Sequence, residues 1–218
     1  MTILKTMKNP ILTRSHDNHF VFLERIKKVF SERDCVSKLP VSQAKENLEN
    51  EQPRLAAVLM PIIECEDQIY LLFTRRTETV ADHRGQVSFP GGSWEPGDIN
   101  LVNTALRETW EELGIPASII EVLGCLEPRR LVSGFLVTPV LGLVRCPIEL
   151  KVYLPEVARV FKIPIDWLAD PKNRYLQELE YNGMNFQVTY YKSYLGEVLW
   201  GATASMTVEF LDLVGKTN

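Results

Sequence analysis

The chain has 218 residues, of which 45% are hydrophobic and 24% charged, the usage of one globular domain with a modest extension. Lys and Arg number 24 against 28 Asp and Glu, and with a net charge of −4 nothing implies a strongly basic nucleic-acid surface. An acidic chain that handles anions needs local basic residues or a bound cation.

No apolar run reaches the ~18 residues that would span a bilayer, so no membrane partner is expected. The N-terminal "MTILKTMKNPILTRSHDNHF" lacks a continuous apolar stretch with a small-residue cleavage site, and "LVGKTN" at the other end is not a peroxisomal signal. Cys35, Cys65, Cys125 and Cys146 are scattered and form no CxxC pair. Neither a disulfide framework nor a zinc knuckle is expected, and a reducing, cytoplasmic setting is the simpler reading.

In chain order, "HFVFLERIKKVFSER" places Phe20, Phe22, Leu23, Ile26, Val29 and Phe30 largely on one helical face and predicts an amphipathic helix. "SQAKENLENEQPR" reads as a short second helix or a connector ending at Pro53. From Leu55 the texture changes. "LAAVLMPII" and "QIYLLFTRR", separated by the acidic turn "ECEDQ", predict a hairpin, and "GQVSFPGG" a third short strand. Leu101 to Leu113 is helical and is stopped by Gly114 and Pro116. Strands are expected at "IIEVLGCLEP", "VTPVLGLVR", "MNFQVTYYKS" and "EVLWGATA", a helix at "PEVARVFKIPIDWLAD", and a last helix at "TASMTVEFLDLV". Strands on both sides of a helix argue for a mixed β-sheet between helices, an α/β class.

The central helix carries the chemistry. Glu108, Glu111 and Glu112 fall within an arc of roughly 100°, with Val102, Leu106, Trp110 and Leu113 toward the opposite, core-facing side. The i,i+4 pair Glu108 and Glu112 repels, and the C-terminal half of a helix disfavours anions. A solvated acidic face is one explanation. A divalent cation held between the carboxylates is the other, and it removes both penalties; Mg²⁺ and Mn²⁺ prefer such oxygen ligands. Upstream, Pro90 fixes a turn in which Gly91 and Gly92 let the backbone approach a ligand closely.

Gly92, Asp98, Arg107-Glu108, Trp110, Glu111-Glu112 and Gly114 together resemble the signature of the Nudix hydrolases. Asp98 stands where a Glu is usual, one extra residue lies between Gly92 and Arg107, and Thr109 is less apolar than the pattern. The loop length and the aspartate are familiar in the coenzyme A diphosphatases. "LLFTRRTETVADHRGQVSFPGG", "LPEVARVFKIPIDWLAD" and "LWGATA" resemble further segments of that subgroup, with Thr77 in place of Ser or Ala and Ala81 in place of an Arg. The resemblance runs over roughly residues 55–212 and divides the chain into an N-terminal helical extension, 1–52, and a Nudix domain, 53–218.

The resemblance implies a Nudix α/β/α sandwich and hydrolysis of a diphosphate by water, with Mg²⁺ or Mn²⁺ as cofactor. Its implied metal ligands are Glu108, Glu112, Glu111 and the Gly92 carbonyl. Glu108 is the implied base, Arg107 orients Glu108 or its neighbour, and Glu111 completes the catalytic set. Arg76, Arg84 and Gly91 are the implied substrate contacts. Arg75 and His83 stand near the turn, Arg75 facing phosphate or solvent and His83 with a structural role as the alternative to a catalytic one. Glu156 is either an extra ligand or base, or an ordinary acid at a helix start. Trp167 and Trp200 are expected in the core. The implied substrate is coenzyme A or acyl-coenzyme A, giving 3',5'-ADP and 4'-phosphopantetheine. Hydrolysis of ADP-ribose or another nucleoside diphosphate derivative, and a non-catalytic nucleotide-binding domain, are the alternatives. No nucleic-acid partner is implied, and a homodimer stays open.

Overall fold

The computed structural model describes residues 2–3, 15–31, 33, 35, 53–65, 68–78, 85–181 and 183–216. In chain order the elements are β1 (Thr2–Ile3), α1 (Ser15–Ser31), β2 (Arg54–Glu64), β3 (Ile69–Arg76), β4 (Val87–Ser88) and β5 (Gly91–Ser93). There follow α2 (Leu101–Leu113), β6 (Glu121–Cys125), β7 (Arg129–Arg130), β8 (Phe135–Arg145) and β9 (Glu149–Leu150). The chain continues with β10 (Val157–Pro164), α3 (Ile165–Ala169), β11 (Arg174–Tyr181), β12 (Met184–Tyr191) and α4 (Gly201–Leu213). The predicted connector "SQAKENLENEQPR" lies outside the described residues before Pro53.

The main sheet runs β10-β3-β2-β8-β6, with the short strands β4 paired to β3, β5 to β2 and β7 to β8. β2 and β8 are parallel, paired from Arg54↔Phe135 to Glu64↔Arg145, and the other pairs are antiparallel. Side chains of a strand alternate between faces, and here both faces are buried. Met60, Ile62, Leu71, Phe73, Leu141 and Leu143 meet Phe22, Leu23, Ile26 and Phe30 of α1 and Met206 and Phe210 of α4. On the other face Leu59, Ile63, Leu72, Val140 and Val144 meet Leu101, Ala105 and Leu113 of α2. The mixed sheet between helices is the predicted α/β architecture. Burial on both faces explains why β2 and β8 read as unbroken apolar runs rather than alternating ones.

The β2–β3 hairpin stands as expected, and α2 has the predicted bounds. "GQVSFPGG" splits into β4 and β5 around Phe89 and Pro90. In α1, Phe22, Leu23, Ile26 and Phe30 enter the core, whereas Phe20 is 67% exposed. Three expectations are corrected. "PEVARVFKIPIDWLAD" is mostly the strand β10, followed by the five-residue α3. A register shift between Val157 and Arg159 breaks the strand alternation there, so the apolar spacing imitates a helix. "EVLWGATA" forms no extended strand: Trp200 makes an isolated bridge to Tyr190 and α4 begins at Gly201. Finally, the four cysteines form two disulfides, Cys35–Cys125 and Cys65–Cys146, where no framework was expected. Their sequence separations of 90 and 81 residues are closed only by the fold. Trp167 and Trp200 are half-buried, the first edge-on to Tyr194 and the second stacked on Tyr190.

Candidate active site

The turn and the acidic helix meet because both are pinned to β2. Gly91 and Gly92 pair with Val58 and Ala57, Leu59 N–H donates to Pro90 O (2.8 Å), and Trp94 N–H donates to Leu55 O (2.9 Å). α2 starts at Asn100, whose Oδ1 accepts from Asn103 N–H (2.9 Å), and ends at Gly114, left-handed at φ 69°, whose N–H donates to Trp110 O. The two glycines are required by close approach. A Cβ on Gly91 would meet the Val58 backbone at 2.6 Å, and one on Gly92 would lie 2.6 Å from the carboxylate carbon of Glu108.

The helix is rotated relative to the sequence expectation. It buries Leu101, Thr104, Ala105, Thr109, Glu112 and Leu113, whereas Trp110 is 51% exposed and Val102 and Leu106 are half-buried. Small residues let the helix approach the sheet, and Thr109 satisfies its hydroxyl on Ala105 O (2.7 Å). The acids therefore do not share one solvated face.

Glu112 is 4% exposed. Its Oε1 lies 3.7 Å from Arg76 Nη1, its carboxyl receives a hydrogen bond from the Gly91 backbone, and its Oε2 is buried with no partner among the described residues. Burial, reinforced by the charges of Glu108 and Glu156 and only partly offset by Arg76, pushes its pKa from the ordinary 4.5 up to about 8. Glu108 is also raised, first by burial, then by Glu111 and Glu156 against the opposing Arg107. Glu156 thus joins the site electrostatically, although it lies far along the chain. Tyr153 N–H donates to Glu112 O (2.9 Å), Glu156 N–H donates to Tyr153 O (3.1 Å), and Thr77 N–H donates to Glu156 O (2.9 Å).

Arg107 braces the turn against the helix. Its Nε and Nη2 donate to the two oxygens of Asp98 (both 3.0 Å), Nη1 to Glu108 (2.8 Å) and Glu111 (3.0 Å), and Nη2 also to Ser93 O (3.0 Å). Asp98 is buried, which works to raise its pKa, but bonds from Arg107, the Glu95 amide and Thr104 together hold it below the usual carboxylate range. Sequence reading gave Asp98 a place in the motif and no task; its task is to seat Arg107. Glu111, with a side chain 54% exposed, is tied to Arg107.

Arg75 and Arg76 diverge as strand neighbours do. Arg76 reaches Glu112, and its Nε is buried without a partner among the described residues. Arg75 lies 3.5 Å from Glu197, a 4%-exposed carboxylate that also accepts from Arg159 (2.9 Å). Ala81, His83 and Arg84 lie outside the described residues.

Among the described residues no three His, Cys, Asp or Glu side chains form a ready-made metal cage. The donors nevertheless suit a cation that keeps several waters and takes one or two carboxylates. The orphaned Oε2 of Glu112 and the Glu108 carboxylate packed over Gly92 are the oxygens such a cation would use.

The NUDIX domain model matches residues 53–159. The chain is 42% identical over 153 residues to a protein named Uncharacterized Nudix hydrolase NudL from Yersinia pestis (strain Pestoides F), covering 70% of this chain and 76% of the relative. The same figures hold for the NudL of Yersinia pseudotuberculosis serotype O:1b (strain IP 31758). The chain belongs to the Nudix hydrolases. It shares its fold with a MutT/nudix family protein from Enterococcus faecalis, with a TM-score of 0.50 at 17% identity, over 94% of this chain and 75% of that one. As a Nudix enzyme it hydrolyses a diphosphate bond in nucleoside diphosphate derivatives, and enzymes of this family generally need divalent metal ions. Its Nudix box is the turn and helix just described, and no described helix is long and apolar enough to cross a membrane.

Proposed function

We propose that this protein is a coenzyme A or acyl-coenzyme A diphosphatase, releasing 3',5'-ADP and (acyl-)4'-phosphopantetheine with Mg²⁺ or Mn²⁺ in the cytoplasm. The observation that carries it is the pairing of an orphaned carboxylate oxygen on Glu112 with an orphaned donor on Arg76. Buried polar atoms normally find partners, so an anion carrying a cation completes both. Arg76 belongs to the upstream stretch that resembles the coenzyme A subgroup. The hydrolase domain spans 53–218, and the preceding residues contribute α1 to its core.

In this reading Glu108 and Glu112 hold the cation, with the Gly92 carbonyl and Glu111 as further oxygen donors. When bound, the cation neutralises the diphosphate and lowers the barrier to attack by water. Water adds to one phosphorus, the bridging P–O bond breaks, and the departing phosphate keeps the electron pair. Glu108 takes the proton of the attacking water, and burial raises its affinity for that proton. Arg107 fixes the orientation of Glu108 through a charge-assisted bond. Arg76 and Arg84 contact phosphate oxygens, and Gly91 keeps the turn close enough for the substrate to approach. Glu156 acts electrostatically on both carboxylates and favours retention of the cation.

The test is product analysis with Mg²⁺ or Mn²⁺ and, separately, coenzyme A, acetyl-coenzyme A, ADP-ribose and NADH. Release of 3',5'-ADP from the coenzyme A compounds is expected. Cleavage confined to ADP-ribose or NADH would replace the substrate assignment, and no metal-dependent cleavage of any of them would overturn the catalytic reading.

A further inference from the structure

The second disulfide sits where strand ends meet a segment of the active site. Cys65 follows β2 and Cys146 follows β8, the two strands being in register at Glu64↔Arg145, and Cys146 N–H donates to Glu64 O (2.9 Å). The sulfurs are joined, with Cα atoms 5.1 Å apart. Lys162, on β10, places its ammonium 3.8 Å from the centre of the Tyr70 ring and donates to Cys65 Sγ at 3.5 Å. A cation in contact with a thiol favours its thiolate, the reactive form. Cys65 is 7% exposed, whereas Cys146 is half-buried and is the more exposed residue of the pair.

Cys146 also opens the stretch that locks the catalytic helix. Lys151 N–H donates to Leu113 O (2.8 Å) and Tyr153 N–H to Glu112 O (2.9 Å), after which the chain delivers Glu156 to the site. We propose that Cys65 and Cys146 form a thiol–disulfide exchange site for low-molecular-weight disulfides, whose oxidised form fastens the 146–156 segment against the end of α2.

The chemistry is complete with a disulfide as co-reactant. The Cys146 thiolate attacks it, forming a mixed disulfide and expelling one thiolate. Cys65, beside the Lys162 ammonium, then attacks the Cys146 sulfur as its thiolate and expels the second. The protein dithiol loses two electrons and two protons, and the co-reactant leaves as two thiols. Reduction by an excess of thiol runs the same steps backward.

The experiment equilibrates the full-length protein in buffers of oxidised and reduced glutathione. Thiols are trapped by alkylation and mapped by peptide, and amide hydrogen exchange is followed over residues 147–156. The expected result is reversible conversion of the Cys65–Cys146 pair, with exchange in that segment about tenfold faster in the dithiol form. Cys146→Ser should show the fast rate in every buffer, while Cys35→Ser should keep the response. Two thiols that never pair in oxidising buffer would overturn the proposal, as would a pair that converts with no change in exchange. The wild-type comparison decides even if a variant fails to fold. Because no turnover is measured, failure here is separable from failure of the substrate assignment.

Discussion

Glu112 is a carboxylate withdrawn from water with one oxygen unanswered, in an enzyme whose substrate is an anion. Its raised pKa makes the metal-free protein pH-sensitive in a definite direction. The folded state holds the proton up to about 8 and the unfolded chain only up to the ordinary 4.5. The stabilisation from this group is therefore full below 4.5 and is lost as pH rises toward 8. Urea unfolding of metal-free protein between pH 5 and 8.5 should show stability falling across that window, and saturating Mg²⁺ should flatten the fall. Stability independent of pH there would contradict the burial argument. The neighbouring arginine reads differently: with Asp98, Glu108 and Glu111 around it, Arg107 stays charged throughout.

At the scale of the elements, α2 shows what a sequence reveals and what it withholds. Its end was legible because Gly114 and Pro116 are stop signals that act locally, and the structure adds Asn100 as the cap at its start. Its orientation was not, since a helical wheel assumes that carboxylates face solvent. Here Glu112 turns inward toward the glycine turn, and Trp110 turns out. The consequence is measurable. Leu113→Ala, at a fully buried position, should cost about 2–5 kcal/mol, while half-buried Leu106→Ala should cost about 1 kcal/mol. Equal losses in denaturant titrations would mean that the helix faces the sheet as the wheel suggested. The strand β10 was misread for a related reason. Its bulge lies in a backbone register, and apolar positions on either side of it fall three and four apart. The β11–β12 hairpin was only half foreseen, because the charged "RYLQELEY" shows little of the apolar alternation that marked β12.

For the whole molecule, the sandwich followed from the order of strand-like and helix-like segments, whereas contacts between distant segments did not. The pairing of Cys35 with Cys125, the approach of Glu156 to the box and the distant partners of Arg75 and Arg76 all depend on tertiary proximity. The first helix is a further case. It looked like an appendage, yet Phe30 is 1% exposed and its ring lies 6.3 Å from that of Phe210 in α4. Phe30→Ala should lower global stability by about 3–5 kcal/mol. A two-state unfolding curve unchanged by that substitution would show that α1 is not part of the cooperative core.

The central claim is that the buried Glu112 carboxylate receives the cation, and calorimetric titration with Mn²⁺ tests it most directly. Run at pH 6.5 in buffers of different ionisation enthalpy, the titration reads proton release together with affinity. The wild-type protein should release close to one proton per ion, because Glu112 is protonated there until the cation binds. Glu112→Gln should bind Mn²⁺ at least about tenfold more weakly, without that proton, and should lose diphosphate hydrolysis while keeping its fold. A Glu112→Gln protein that binds Mn²⁺ with wild-type affinity and turns over substrate at the wild-type rate would contradict the account.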